Sequence, residues 1–202
     1  MANLRDIRRR IKSVKNTAQI TKAMELVAAA KMKKAQDQAI AGREYADSLN
    51  NVLTNLKENT DEDAHPLLEK REGGKELMLV ISTDKGLCGG LNTNLLKKVR
   101  ATASEDASYI TVGKKLRQQI AKVGGNLIAD WHIGDPVPFN DAKPIAKFVT
   151  EKFLAGDYDK ITVAFNNFVS TLTQEPWVSQ LLPIEADTLA ERTAHEAMSH
   201  KM

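Results

Sequence analysis

Apolar and small residues recur at alternating intervals of four and three positions through the first 57 residues. No proline occurs before Pro66 and no glycine before Gly42, and good helix formers dominate. A heptad pattern of this length predicts a coiled-coil helix over residues 1–57, with Asn3 as its N-cap. The seam of the pattern consists of Leu4, Ile7, Ile11, Val14, Ala18, Thr21, Glu25, Ala28, Met32, Ala35, Ala39, Gly42, Ala46, Leu49, Leu53 and Leu56.

The predicted helix is longer than a compact chain of this size is wide. An α-helix of this length spans roughly 80 Å, whereas a compact chain of about 200 residues has a diameter of about 40–45 Å. The middle of the seam, from Ala18 to Ala46, holds mainly small residues, which let a partner helix approach closely but bury little apolar area. We therefore expect the helix to protrude and to be held by a partner, although an amphipathic helix packed on its own domain is the alternative.

The rest of the chain alternates short apolar runs with helix-compatible segments. Residues 58–74 are polar and contain proline and a Gly-Gly pair, which predicts a linker. This alternation predicts the α/β class, with a Rossmann-like domain and a mostly parallel sheet over residues 75–185 and a polar helical tail over residues 186–202. Strands are predicted at Leu77–Ser82, Tyr109–Val112, Leu127–Asp130, Ile161–Phe168 and Trp177–Ile184, and helices at Asn92–Ala103, Lys114–Val123 and Asp141–Leu154.

Positive charge is concentrated at the amino-terminal end. Residues 1–34 hold ten basic and two acidic side chains, a net charge of +8, so the net charge of +3 for the whole chain leaves −5 for residues 35–202. This concentration of positive charge predicts an acidic partner: nucleic acid, lipid headgroups or an acidic protein surface. The alternative is that the charged side chains only form a solvated face of the helix. The helix has no aromatic residue before Tyr45, which disfavours a protein that reads bases.

A glycine-rich turn with the sequence DKGLCGG, residues 84–90, follows the first predicted strand and precedes a helix. Phosphates bind at such turns in α/β folds, but the spacing of Gly86, Gly89 and Gly90 fits neither a P-loop nor G-x-G-x-x-G. We expect these glycines to form a tight turn that lets another backbone come close, and Cys88 to be a packed turn residue. Because the four histidines also lack ligand spacing, the sequence predicts no catalytic, metal or cofactor site.

Three stretches of the sequence resemble the signature regions of the γ subunit of F-type ATP synthase. They are Ile7–Met32 (IRRRIKSVKNTAQITKAMELVAAAKM), Ile81–Asn92 (ISTDKGLCGGLN) and Phe165–Pro183 (FNNFVSTLTQEPWVSQLLP). They occur in the order and at the separations expected for that family, and the resemblance runs from the first residue to about residue 186. Three long matches together are specific, which an Ala-rich helix alone would not be.

The resemblance implies a central rotor-stalk subunit in the F1 part of a proton-translocating ATP synthase, which transmits rotation of the membrane c ring to the catalytic hexamer. The implied partners are the α and β subunits of the hexamer, the ε (or δ) stalk subunit and the c-subunit ring, with no nucleic acid and no small-molecule substrate. Catalysis belongs to the partner subunits, so the chain itself is not an enzyme and needs no cofactor. The implied location is the cytoplasmic face of a bacterial plasma membrane, as a peripheral protein, or the equivalent matrix or stroma face.

The resemblance also implies which residues meet the partners. The family places a coupling-sensitive methionine where Met24 stands, and simple hydrophobic packing is an equal alternative for that side chain. Contacts of the helix with partners are expected from Arg8, Arg9, Lys12, Lys22, Met24, Lys31 and Lys33, and the turn of the foot domain is formed by Lys85, Gly86, Cys88, Gly89 and Gly90.

Members of this family carry a second long helix at the C-terminus, which runs back beside the first. Residues 185–202 match none of its motifs, so most of that helix has no counterpart in this sequence. A single helix is expected to be too flexible to transmit full torque. Two other functions stay open: a basic coiled-coil adaptor that binds nucleic acid or an anionic membrane, and a small nucleotide-binding α/β protein that uses the turn at Gly86–Gly90.

Overall fold

The computed structural model describes residues 3–59, 64–134, 137–185 and 188. Within it the chain divides into two compact units, the first ending at Ser48 and the second beginning at Leu49. This division lies inside the first helix, α1, which runs from Leu4 to Glu58. The boundaries that the sequence suggests for the shaft, linker and foot domain stay predictions, and the predicted tail, residues 186–202, lies outside the described residues except for Thr188.

Helix α1 is unbroken over 55 residues, which corresponds to a length of about 80 Å. As predicted, Asn3 caps it: the Asn3 side-chain oxygen accepts a hydrogen bond from the Arg5 backbone N–H at 3.2 Å. Hydroxyl groups inside the helix bond back to the preceding turn, as in Thr21 Oγ1 to the Thr17 carbonyl at 2.9 Å. The pairing of its seam with a second helix stays a prediction.

A five-stranded sheet forms the centre of the second unit. Its strands are β1 (Glu76–Ile81), β2 (Ser108–Val112), β3 (Asn126–Trp131), β4 (Lys160–Phe168) and β5 (Gln174–Leu182). They lie in the order β3-β2-β1-β4-β5, with β1 to β4 parallel and β5 antiparallel to β4. Strand β1 is interior to the sheet and buried on both faces, which explains why its sequence is a continuous apolar run. The predicted α/β fold with a mostly parallel sheet is confirmed.

Three helices cover the two faces of the sheet: α2 (Leu91–Thr102), α3 (Lys114–Lys122) and α4 (Phe139–Leu154). Leu77 and Leu79 of β1 point into a core shared with α4, whereas Met78 and Val80 point into a second core shared with α2 and α3. The chain therefore winds outward from β1 to β3 over one face, and α4 returns it across the other face to β4. The strand order reverses between β1 and β4, which is where doubly wound folds place their binding crevice.

One predicted boundary differs clearly from the structure. Residues 174–176 (Gln-Glu-Pro) are expected from the sequence to connect two strands, but they form the first part of β5. Pro176 is tolerated because β5 is an edge strand, so its missing N–H removes no bond that a further strand would need. In the register of the sheet, Pro176 lies opposite Asn166.

The segment that precedes β1 is tied to the domain rather than loosely attached. Arg71 donates a hydrogen bond from Nη1 to the carbonyl of Phe153, and its guanidinium carbon lies 4.3 Å from the centre of the Phe153 ring. Nearer the strand, the Lys75 N–H donates to the Asp159 carboxylate at 3.1 Å. These bonds join the segment before β1 to the end of α4 and to the residue that precedes β4.

Candidate functional site

The basic side chains near the start of α1 are all exposed. Arg8 and Lys12 are one helical turn apart and therefore lie on the same side of the helix. Arg9 lies further round, opposite Ile7 and Ile11 of the seam. The cations and the apolar seam thus occupy different sides of this part of the helix. One partner surface can therefore contact the charged side chains while another covers the seam.

A second apolar stripe runs along α1, separate from the seam. Ile20, Met24 and Val27 follow the helical i, i+4, i+7 spacing and are 61%, 65% and 58% exposed. Sequence reasoning singled out Met24 alone, although the spacing of Ile20 and Val27 was the signal that could have found the stripe. A helix that is apolar on more than one side is normally enclosed by neighbours on more than one side.

Three further lysines follow along the helix. Lys22 pairs with Glu25 at 3.2 Å, but both side chains are exposed, so the pair contributes only about 0.3–0.5 kcal/mol. Lys31 and Lys33 are exposed beyond the second stripe. The seven residues predicted to contact partners from the helix therefore all lie on the surface of α1, where a partner can reach them.

The glycine-rich turn brings together Lys85, Gly86, Cys88, Gly89 and Gly90 at the carboxyl end of β1. A residue that sequence reasoning did not select, Asn92, holds the turn in place. Asn92 is buried, and its side-chain Nδ2 donates to Thr83 Oγ1 at 2.8 Å and approaches Cys88 Sγ at 3.2 Å. The tendency of asparagine near a helix start to bond with local polar groups was the available signal.

Two residues of the turn adopt the left-handed backbone conformation. Gly89 has φ +59°, which glycine accepts without cost. Leu87 has φ +61° although it carries a side chain, and that side chain is fully exposed. A left-handed conformation at a branched residue such as Leu87 is uncommon, so the turn holds an apolar side chain outward at some energetic cost.

The expected close approach of another backbone does not occur at the turn glycines. A Cβ at Gly89 would meet nothing within 4 Å, and one at Gly86 would lie 3.5 Å from the Lys115 side chain. The close approach is instead at Gly113, where a Cβ would lie 2.2 Å from the carbonyl oxygen of Ser82. That expectation was wrong because the crowding is between the ends of β1 and β2, which are distant in sequence.

Asp84 connects the ends of three strands. Its Oδ1 accepts a hydrogen bond from the Lys114 backbone N–H at 3.1 Å, which caps α3 from a distant loop. The same oxygen lies 3.1 Å from Nδ1 of His132, which follows β3. These bonds give Asp84 a structural role at the carboxyl edge of the sheet.

No cluster of three or more His, Cys, Asp or Glu side chains suited to a metal ion occurs in the part of the chain that the structure describes. Among the same residues, no helix is both long and apolar enough to cross a membrane. Cys88 is partly exposed and is a free cysteine.

The comparison with protein families decides what this arrangement belongs to. The family model described as ATP synthase matches residues 3–202. The chain belongs to the ATP synthase γ-chain family. A γ chain from Akkermansia muciniphila is 51% identical over 94% of this chain, and one from Methylacidiphilum infernorum is 43% identical over 98% of it. This chain spans 65% and 69% of the lengths of those two relatives.

Solved structures show the same fold in ATP synthase assemblies. The central stalk and c ring of the Tetrahymena thermophila mitochondrial ATP synthase contains a chain with a TM-score of 0.66 and 24% identity, covering 89% of this chain and 87% of that one. The rotor of the Euglena gracilis mitochondrial ATP synthase contains one with a TM-score of 0.59 and 18% identity, covering 96% and 67%. The family model and the γ-chain relatives confirm the family resemblance drawn from the three sequence stretches.

Proposed function

We propose that this chain is the central rotor-stalk subunit of the F1 part of a proton-translocating ATP synthase and transmits rotation of the c ring to the catalytic hexamer. The observation that carries the proposal is α1, an unbroken helix whose apolar side chains stay exposed on more than one side along its length. A helix of this kind needs neighbours to cover it, and membership of the γ-chain family identifies a setting that supplies them.

Enclosure of α1 supplies a large favourable free energy on assembly. Each exposed Ile, Leu, Met or Val side chain that becomes fully buried contributes about 1.5–3 kcal/mol. The seam and the Ile20–Met24–Val27 stripe lie on different sides of the helix, so a sleeve of surrounding subunits covers both, whereas one partner helix covers only the seam. The α and β subunits of the hexamer form this sleeve.

The exposed cations of α1 give the shaft its electrostatic contacts. The exposed side chains of Arg8, Arg9, Lys12, Lys31 and Lys33 contact acidic loops of the hexamer, and Met24 contacts it through its apolar side chain. Contacts of this type steer association and weaken at high salt. In the foot domain, the turn from Lys85 to Gly90 presents Leu87 to a partner, and the ε (or δ) subunit and the c ring contact the remainder of that domain.

Catalysis belongs to the partner subunits in this proposal, and the chain itself is non-catalytic. The glycine-rich turn has a structural task in this proposal: Asn92 Nδ2 donates to Thr83 Oγ1 at 2.8 Å, and the Thr83 hydroxyl donates to the Lys85 carbonyl at 2.7 Å. The protein is peripheral to the membrane, on the cytoplasmic face in a bacterium.

The test is assembly with α and β subunits, followed by native mass spectrometry and an ATPase assay. The wild-type chain is expected to enter a complex with the hexamer. The substitution pair R8E/R9E should weaken this association about tenfold or more at low salt, because two cations become anions beside acidic loops. The matched control K97E/K98E reverses two exposed charges on α2 and should leave assembly unchanged.

Two outcomes would contradict the rotor proposal. In one, the wild-type chain does not assemble with the hexamer. In the other, R8E/R9E and K97E/K98E weaken assembly equally, so that only net charge matters. Salt-dependent binding of the wild-type chain to duplex DNA or anionic vesicles, without assembly, would favour the adaptor function instead.

A further inference from the structure

A cavity of about 440 Å³ lies at the carboxyl edge of the sheet, beneath α4. Its floor consists of residues of the sheet and α4 that are only 4–8% exposed, Leu79, Val112, Ile145 and Val149. Its walls are Ile133, Val137, Ala142 and Leu181, together with the ends of β1 and β2. The volume is within the usual range for small-molecule sites, about 300–1,000 Å³.

The polar groups at the rim of this cavity are already hydrogen-bonded within the fold. Ser82 Oγ accepts from the Leu116 N–H at 3.2 Å and lies 3.3 Å from the carbonyl oxygens of Val112 and Gly113. Asp84 is engaged by Lys114 and His132. A ligand is therefore not required to satisfy a buried polar group, and the Asp84 carboxylate disfavours an anion. The cavity would therefore select a ligand by its size and its apolar surface.

The strands beneath the cavity argue against an added protein strand as its occupant. A docked helix needs an elongated groove with anchors at i, i+4 and i+7, and an added strand needs an open backbone edge. The sheet, α4 and residues 133 and 137 bound this cavity. Its floor strands β1 and β2 each have a strand on both sides, so they offer no open backbone edge. Its floor is part of the packed core, so the site is preformed.

We propose that this cavity binds a compact, uncharged, mainly hydrocarbon small molecule. The proposal concerns the foot domain alone and does not depend on the rotor function. Occupation would bury apolar surface of the ligand against the α4 side of the sheet and would bridge α4 to the ends of β1 and β2. The bound form of the domain is then more stable than the empty form, in proportion to ligand concentration.

The test uses the full chain and the neutral fluorescent dye N-phenyl-1-naphthylamine. Saturable binding is expected, with chemical-shift changes confined to the methyl groups that line the cavity, among them those of Val112, Ile145, Val149 and Leu181, in a ¹³C-methyl NMR spectrum. Ala142→Leu fills the cavity from α4 and should weaken dye binding about tenfold or more, which corresponds to roughly 1.4 kcal/mol. The matched control, Ala101→Leu on the exposed side of α2, should bind the dye like the wild type.

Near-UV circular dichroism shows whether each variant is folded. If Ala142→Leu does not fold, Ala146→Leu replaces it, because Ala146 lies one turn further along α4 and also lines the cavity. Three results would overturn the proposal: no saturable binding, equal weakening by the α4 and α2 substitutions, or shifts in methyl groups outside the cavity. Loss of the dye when the chain assembles with partner subunits would also overturn it, because a partner side chain would then be the occupant. Failure of assembly alone would leave this inference standing.

Discussion

Glu76 is a carboxylate enclosed at the amino end of β1, where it is only 5% exposed. Thr162 of β4 donates to its Oε1 at 2.8 Å, and the Ser104 N–H donates to its Oε2 at 2.8 Å, beside a further bond from the Ser104 hydroxyl. Burial raises the pKa of Glu76, but the hydrogen bonds from Ser104 and Thr162 and the charge of Lys160 outweigh burial and hold the pKa below its ordinary value.

Glu76→Gln should lower the free energy of unfolding by about 1–3 kcal/mol at neutral pH, because an amide nitrogen cannot accept the donated bonds. Since the pKa is lower in the folded chain, the ionised form stabilises the fold above the unfolded-state pKa, about 4.3. That contribution is lost as the pH falls through the folded value. Urea unfolding at several pH values should show the difference between wild type and variant shrinking in acid.

The control for this measurement is Glu105→Gln, at an exposed carboxylate just beyond Ser104. It should change the unfolding free energy by less than about 0.5 kcal/mol at every pH. A Glu76→Gln effect that stays constant from neutral pH into acid would show that the ionised carboxylate is not what stabilises the fold.

Glu76 also shows where prediction from the sequence ends at the residue scale. The sequence places the first strand at Leu77, because a charged residue marks the end of an apolar run. The structure begins β1 at Glu76, since Ser104 and Thr162 satisfy its carboxylate. Those partners are 28 and 86 positions away along the chain, so no local pattern reveals them. The role of Asn92 in the turn was missed although its partners are near in sequence.

At the scale of elements, α1 and the sheet were predictable for different reasons. The helix follows from composition and periodicity alone, which are local properties. The strands next to β1 are predictable from continuous apolar runs in the sequence, because such runs indicate a strand that is buried on both faces of the sheet. The start of β5 was missed because Pro176 argues against a strand in general, and only its position at the sheet edge makes it acceptable.

Gly42 is a weak point within α1. A Cβ at this position would meet nothing within 4 Å, so a side chain fits without repacking. Gly42→Ala should stabilise the local helix by about 0.5–1 kcal/mol, because glycine loses more backbone freedom on forming a helix. Thermal melts followed by circular dichroism at 222 nm should show helical signal retained to a higher temperature.

The reverse substitution at the neighbouring exposed position, Ala41→Gly, should lower the helical signal by a similar amount. Identical melts for both variants and the wild type would mean that α1 is held by interactions other than its own backbone. The two substitutions are matched because each exchanges the same pair of residue types one position apart.

At the scale of the whole molecule, the two units differ in how they are stabilised. The second unit holds two apolar cores on either side of a five-stranded sheet. The first unit consists of helix residues whose large apolar side chains are exposed. Stability is therefore unevenly distributed, since local opening is easiest where few apolar side chains are buried.

This uneven stability predicts a pattern of amide hydrogen exchange that also tests the rotor proposal. In the isolated chain, amides of residues 4–48 should exchange faster than those of β1 and β4, because helix hydrogen bonds exposed to water open more readily than those of a buried sheet. On assembly with the α and β subunits, exchange in residues 4–48 should slow by about tenfold or more. The reason is that a partner which binds the folded helix adds its binding free energy to the free energy needed to open the helix. Exchange in β1 and β4 is the internal reference and should change little.

Unchanged exchange along α1 in an assembled complex would show that the hexamer does not enclose this helix, and the proposed transmission of torque through it would then be wrong.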